Sequence, residues 1–173
     1  METTYFEETQ HFQWGFILIP ALVALLFGTL SLVQVIFKIK VGTRPAPSWL
    51  LLVIFLLVAA FTVFMGLQKL RLKITNKAIY YSFGAFARMR SIPTAEIASI
   101  NLRKYDGMDE FSGWGEKPNA KEDSYTTSGD EGIEIKFKKS TQKSILIGTH
   151  SPQKVQHVLS KYFSGIGNRA GDI

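Results

Sequence analysis

The stretch WLLLVIFLLVAAFTVFMGLQ, residues 49–68, contains twenty residues without a charge and ends directly before Lys69. A helix of this length, at about 1.5 Å per residue, matches the roughly 30 Å hydrocarbon thickness of a bilayer. Twelve of the residues from Leu50 to Phe64 are Leu, Ile, Val or Phe, and they favour insertion by on the order of −4 to −7 kcal/mol. A buried core helix is the alternative, but such helices carry a polar face or are shorter. We therefore predict a membrane-spanning helix.

A second uncharged apolar segment occupies residues 12–37. The connector KIKVGTRPAPS, residues 38–48, contains two prolines that disfavour helix and favour a turn. Residues 12–68 therefore predict a two-helix transmembrane hairpin with helices at about 12–37 and 49–68. Residues 1–11, METTYFEETQH, lack the basic start of a signal peptide, and we expect them to form a polar N-terminal tail rather than a cleaved leader.

Small residues are the expected contact points within the hairpin. In lipid no hydrophobic driving force brings helices together, and small residues allow their backbones to approach closely. Such residues also occur by chance in any span that contains Ala and Gly. Neither span contains an ionisable residue that would suggest a transport path, so the hairpin is expected to be an anchor. The helix-packing candidates, chosen for matching depth from the connector, are Ala24, Gly28, Ala59 and Ala60.

The net charge of +6 is concentrated beside the apolar segments. Five basic residues follow the second helix (Lys69, Arg71, Lys73, Lys77 and Arg88), and three lie in the connector (Lys38, Lys40 and Arg44). The positive-inside rule then predicts that both termini and the soluble part lie in the cytoplasm. We expect a basic collar at the lipid headgroups rather than nucleic-acid binding. Its members are Lys69, Arg71, Lys73 and Lys77.

From residue 70 the hydrophobic period changes to two, which predicts short antiparallel strands separated by Gly and Pro. The strands are expected at 70–74, 78–83, 86–92, 97–105, irregularly at 124–127, then at 133–137 and 144–148. Phe86, Arg88 and Arg90 are expected on one face of the third. Ser151 as N-cap and Pro152 at the first position predict a final amphipathic helix that ends at Gly165, with a frayed tail at 166–173. Its apolar face comprises Val155, Val158, Leu159, Tyr162 and Phe163.

This order of elements resembles a pleckstrin-homology (PH) fold, as found in bacterial PH-like proteins that carry one or two membrane helices. The resemblance covers most of residues 69–163 and rests on the phrases KLRLKITNKAIYYSFGAF, IPTAEIASI and GIEIKFKKSTQKSILIGTHSPQKVQHVL. It implies an all-β PH-like barrel of six or seven antiparallel strands at 69–165, capped by the C-terminal α-helix. The matching motif positions are Thr75, then Ile92, Pro93 and Ile97, then Ile147, Gly148 and Thr149.

Related sequences also carry a Gly-Trp-Gly in the central loop, matched here by Gly113, Trp114 and Gly115. In those sequences a basic residue follows, whereas here Glu116 precedes Lys117, which puts an anion-binding role of the loop in doubt. Trp114 is either a binding anchor on this loop or a seal that folds back over the barrel mouth. We favour the seal, because the flanking glycines permit a close backbone approach.

No residue pattern indicates an enzyme, a cofactor or a metal site. The chain has no cysteine, its three histidines are scattered, and its neighbouring carboxylates lie in a polar loop. No phosphate loop, nucleophile elbow or dinucleotide fingerprint occurs. The leading hypothesis is a non-catalytic, membrane-anchored module that binds a protein partner near the bilayer or anionic lipid. The alternative is a subunit of an oligomeric membrane assembly, such as a homo-oligomer, held together by the hairpins.

Overall fold

The computed structural model describes residues 1–39, 42 and 45–164, which divide into two compact units. One unit is Phe12–Gln68, and the other combines Met1–His11 with the chain from Lys69 onward. The hairpin expected at residues 12–68 has the same bounds as the first of these units, whereas residues 1–11, expected to be a tail, group with the chain from Lys69 onward. Lys40 and Arg44 of the connector, Gly165 and the tail 166–173 lie outside the described residues.

The first unit consists of helix α1, Trp14–Ile36, and helix α2, Ser48–Leu67. Each is within two residues of its predicted bounds, and both are long and apolar enough to cross a membrane. Only 11% and 6% of their most apolar windows are buried within the protein. A core helix of a soluble protein would bury most of that surface, so these helices need another apolar environment.

Two of the four packing candidates lie at the contact between α1 and α2. Ala24 is 7% exposed, and a Cβ added at Gly28 would lie 3.1 Å from the ring of Phe55. Ala59 is half-buried, whereas Ala60 is exposed, so the candidacy of Ala60 is not supported. Ala59 follows Phe55 by four positions on α2, as Gly28 follows Ala24 on α1.

Polar contacts near the connector were missed because only small residues were considered. The side-chain amide of Gln34 on α1 accepts a hydrogen bond of 3.1 Å from the hydroxyl of Ser48 on α2. Ser31 and Leu51 are both buried, at 4% and 6% exposure. The two helices are therefore joined by a hydrogen bond at the connector and by close packing at Gly28.

We expect Gly28→Val to destabilise the hairpin, because the added side chain overlaps the Phe55 ring. Overpacking of this kind costs about 1–3 kcal/mol. Gly15→Val in α1 is the matched control, since a Cβ there has nothing within 4 Å. Unfolding by a titration of sodium dodecyl sulfate in mixed micelles measures the difference. Equal midpoints for the two variants would contradict the assigned contact.

The described part of the second unit, which ends at residue 164, contains two β-sheets and two α-helices. Sheet 1 is an antiparallel meander in the order β1-β2-β3-β4, and sheet 2 has the order β5-β8-β9-β7-β6. Sheet 1 comprises β1 Thr4–His11, β2 Lys69–Thr75, β3 Ala78–Phe83 and β4 Arg90–Pro93. After a 3-10 turn at Thr94–Glu96, sheet 2 comprises β5 Ile97–Lys104, β6 Gly115–Pro118, β7 Glu122–Thr126, β8 Glu131–Phe137 and β9 Ser144–Gly148. Helix α3 is Gly107–Phe111, and α4 is Pro152–Tyr162.

The sheets differ from the predicted barrel in three respects. Among the described residues no strand of sheet 1 pairs through its backbone with a strand of sheet 2, so the barrel is not closed. Residues 1–39, 42 and 45–164 contain nine strands instead of six or seven. One pair, β7 with β9, is parallel. Strand β9 pairs with β8 along one edge and with β7 along the other.

Residues 4–11, expected in a polar tail, form strand β1 and pair with β2. The inward side chain of Phe6 joins the core at 9% exposure. The next inward residue, Glu8, accepts hydrogen bonds from Thr149 Oγ1 at 2.7 Å and from the His150 backbone N–H at 3.0 Å. Polar residues therefore fill inward positions of β1, which hid the alternation that reveals a strand.

Phe6→Ala should lower the stability of the domain by about 3 kcal/mol, the usual cost of truncating a buried Phe. Thr9→Ala on the same strand is the control, because Thr9 is exposed and its loss should cost less than about 0.5 kcal/mol. Thermal unfolding of the full chain in detergent compares the two. If both variants melt like the wild type, β1 is not part of the folded domain.

The main core lies between the two sheets and α4. As predicted, α4 buries Val155, Val158 and Leu159, with Phe163 following. Tyr162 is instead 46% exposed and stacks on Tyr5 of β1 with 3.8 Å between ring centroids. Ser151 precedes the helix as predicted but makes no side-chain cap.

The predicted third strand is shorter than expected. Strand β4 begins only at Arg90, and residues 84–89 form an irregular β3–β4 loop. Gly84 opens this loop with a φ of +124°, a conformation that breaks strand geometry and that side chains rarely adopt. Phe86 and Arg88 therefore lie on a loop rather than on a sheet face.

Candidate functional site

The four lipid-headgroup candidates lie along strand β2 and its following turn. Lys69, Arg71 and Lys73 alternate with buried apolar residues, and this alternation places their side chains on the outer face of sheet 1. Lys77 follows the turn at the far end of the strand. At about 3.3 Å per residue, Lys69 and Lys73 are about 13 Å apart along the strand. Lys69, Arg71 and Lys73 form a row on one face of the sheet rather than a collar, and Lys77 lies beyond its far end. These four residues are here called the basic row.

Acidic neighbours accompany only the far half of the basic row. Glu7 of β1 lies directly opposite Lys73, whereas Arg71 faces Thr9 and Lys69 faces His11. None of the four basic side chains forms an ion pair within 4 Å with a carboxylate of residues 1–39, 42 or 45–164.

Glu2 also lies near the far half. Hydrogen bonding with Thr75 and Tyr80 lowers the pKa of Glu2, and the charges of Lys73 and Lys77 lower it further. The pKa of Tyr80 is raised by the same hydrogen bond. Glu2 and Glu7 therefore offset the positive charge of Lys73 and Lys77. In the near half of the row, Lys69 and Arg71, no acidic residue of β1 lies directly opposite.

The near half of the row is also where the domain joins the helices in sequence. His11 and Lys69 are directly opposite in the β1–β2 pair. His11 precedes Phe12, and Lys69 follows Gln68, the two ends of the helical unit. Both connections to α1 and α2 therefore leave the same end of sheet 1, and this end carries the uncompensated charge.

The loop-anchor candidate Trp114 is half-buried. Its indole N–H donates a 3.1 Å hydrogen bond to the Gly129 carbonyl, and its ring lies 3.0 Å from where a Gly107 Cβ would be. Gly113 and Gly115, with φ of +116° and +126°, provide the tight turns on either side. The indole folds back onto the domain, as in the sealing alternative, although it has no closed barrel to seal.

Arg90 has a structural role that the sequence did not reveal. Its guanidinium donates to the Tyr125 hydroxyl at 2.6 Å and pairs with Glu116 at 3.1 Å. It also lies over the rings of Tyr125 and Tyr81, 5.5 and 6.0 Å from their centroids. Because Arg90 and Tyr81 belong to sheet 1 and Tyr125 to sheet 2, these contacts join the two sheets.

A second arginine is enclosed by carboxylates on sheet 2. Arg103 pairs with Glu122 at 2.6 Å, with Glu110 at 2.9 Å and with Glu134 at 3.8 Å. Burial lowers the pKa of Arg103, but Glu122 and Glu110 outweigh this effect and raise it. Within the described residues no group of three His, Cys, Asp or Glu could hold a metal ion. Arg103 and these carboxylates form an ion-pair network that connects α3 to the sheet.

Ser128 and His150 form the pair most similar to a catalytic arrangement, with 2.8 Å between Oγ and Nε2. A nucleophilic serine also requires a group that orients the histidine ring. The neighbouring carboxylate, Glu8, bonds the backbone N–H of His150 instead. The pair therefore connects the loop at Ser128 to the approach to α4.

Comparisons with known proteins give no relative for this chain. No family model matches it, and no curated protein or solved structure is significantly similar to it. Function is therefore inferred from the geometry of the described residues.

Two tyrosines should titrate late. Burial is the main cause that raises the pKa of Tyr105 and of Tyr125 to about 12, against about 10 in an unfolded chain. Between these values the folded state keeps protons that the unfolded state loses, so stability falls as pH rises from about 10 to 12. Phenolate absorbance measures the titration, and Tyr125→Phe and Tyr105→Phe should each remove one late group. Full titration near pH 10 would contradict the burial of both rings.

Proposed function

We propose that this protein is a non-catalytic interaction module anchored in a membrane by α1 and α2. The observation that carries the proposal is the exposure of both helices, whose most apolar windows are only 11% and 6% buried. A bilayer supplies the apolar environment that they need. The β unit contains the polar surface and works beside the bilayer as a scaffold for a protein partner.

The domain is further proposed to be PH-like. Four antiparallel strands, β1 to β4, form one meander, and β5, β8 and β9 form a second antiparallel meander that leads into α4. Seven strands and a terminal helix match the number of elements that the resemblance implies, although the resemblance begins at residue 69 and β1 lies outside it. The helical unit is then an insertion between β1 and β2, and α3, β6 and β7 are an insertion between β5 and β8.

Contact with anionic lipid is proposed for the near half of the basic row. Lys69 and Arg71 lack the acidic neighbours of Lys73 and Lys77, and Lys69 directly follows the helical unit. Each basic residue near an anionic surface contributes about 1 kcal/mol, so this pair favours surface contact by about 2 kcal/mol. The excess of basic residues after α2 supports placing the domain at the cytoplasmic face of a bacterial inner membrane.

The test uses the full chain in nanodiscs of zwitterionic lipid, with or without phosphatidylglycerol. A dye on Lys154→Cys, an exposed α4 position in a chain without cysteine, transfers energy to headgroup acceptors. We expect more transfer with phosphatidylglycerol, less in Lys69→Glu/Arg71→Glu, and a smaller change in the matched Lys73→Glu/Lys77→Glu variant. Transfer that is independent of lipid charge would refute the lipid contact.

Assembly through the hairpin is the second candidate function. The observation in its favour is the open space at Gly66, which has nothing within 4 Å and lies four residues after Thr62, another small residue. Small residues with such spacing allow helices to approach in lipid. Cross-linking in native membranes tests it: oligomers should disappear in Gly66→Val, and oligomers that persist would exclude this face.

A further inference from the structure

The β3–β4 loop, residues 84–89, exposes an aromatic side chain that the proposed function does not use. Phe86 is 92% exposed, more than Trp14 at 71% or Trp49 at 67%, the most exposed aromatic residues within α1 and α2. Met89 in the same loop is 41% exposed. Moving these two side chains out of water would be favourable, because burial of apolar surface lowers the free energy.

The position of the loop indicates which environment is close to it. The Gly84 N–H donates a 2.9 Å hydrogen bond to the Lys69 carbonyl, and Phe83 pairs with Leu70. Lys69 is only two residues after Leu67, the end of α2, which limits its distance from that helix end to about 7 Å. The loop therefore begins close to the point where α2 ends, by chain connectivity alone.

The composition of the loop fits a lipid interface. Its sequence, GAFARM, combines an aromatic and two small apolar residues with Arg88 and contains no acidic residue. Arg88 is exposed, while the following arginine, Arg90, is turned towards Tyr125 and Glu116. Aromatic residues favour the boundary between headgroups and hydrocarbon, and an arginine beside them can bind a lipid phosphate.

We propose that the β3–β4 loop is an interfacial anchor: Phe86 and Met89 insert at the headgroup boundary of the bilayer, and Arg88 binds a lipid phosphate. The proposal rests on the placement of α1 and α2 in that bilayer. It differs from the contact of the basic row, because insertion of apolar side chains does not require anionic lipid. The loop thus gives the domain a second fixed point beside the helix end.

The test attaches a nitrobenzoxadiazole dye to Ala87→Cys in the full chain, in nanodiscs whose lipids carry a spin-label quencher at a shallow position. Ala87 is exposed, and the chain contains no other cysteine. We expect strong quenching in both zwitterionic and anionic nanodiscs. A second variant, Phe86→Asp, should lose most of the quenching. Met108→Ala is the matched control and should keep the quenching, since Met108 is 60% exposed elsewhere on the domain.

Three outcomes would overturn the proposal. A dye that is not quenched in either lipid shows that the loop stays in water, even if energy transfer still supports the basic-row contact. A dye that is shielded from water but not quenched by lipid shows that a second copy or another protein covers Phe86. Equal loss of quenching in Phe86→Asp and Met108→Ala shows that the effect is not specific to the loop. Quenching that persists in Lys69→Glu/Arg71→Glu, as expected, separates this proposal from the lipid contact of the basic row.

Discussion

The pairing of β1 with β2 is the constraint on which the two-unit organisation depends. His11 and Lys69 lie opposite each other, although the whole helical unit separates them in sequence. Closing so long a loop costs conformational entropy, and that cost grows only slowly with length. The α1–α2 hairpin reduces the cost, because two antiparallel helices return the chain to the level where it started. Strand pairing and helix packing therefore support each other through the connecting residues.

Strong local patterns were predictable from the sequence. The two apolar segments, the strands β2, β3, β5, β8 and β9 and the amphipathic face of α4 each carry a clear period, and the structure confirms them. The failures have physical causes. Strand β1 carries Glu8 and Gln10 at inward positions because those side chains bond distant groups, and such bonds leave no local hydrophobic signal. The parallel β7–β9 pair and the contacts of Arg90 between the two sheets depend on which distant segments meet. The period of the sequence does not indicate this.

The candidate site was predicted in its residues but not in its arrangement. The sequence indicates Lys69, Arg71, Lys73 and Lys77 because they follow an apolar segment. It does not reveal that Glu2 and Glu7 lie next to the far half of that row, because this placement requires residues 4–11 to form strand β1. The resulting asymmetry concentrates free positive charge at the end of sheet 1 nearest in sequence to α2. The same end carries the loop with Phe86, so charge and exposed apolar surface coincide there.

We propose that α1 and α2 cross a bilayer as a hairpin, with the β unit on one side and the connector on the other. Single cysteines at Pro45 of the connector and at Lys154 of α4, both exposed, can be probed with a membrane-impermeant thiol reagent on intact and permeabilised cells. We expect one of the two positions to react in intact cells and the other only after permeabilisation. Equal reaction of both positions in intact cells, or protection of both until permeabilisation, would contradict a hairpin that crosses the bilayer.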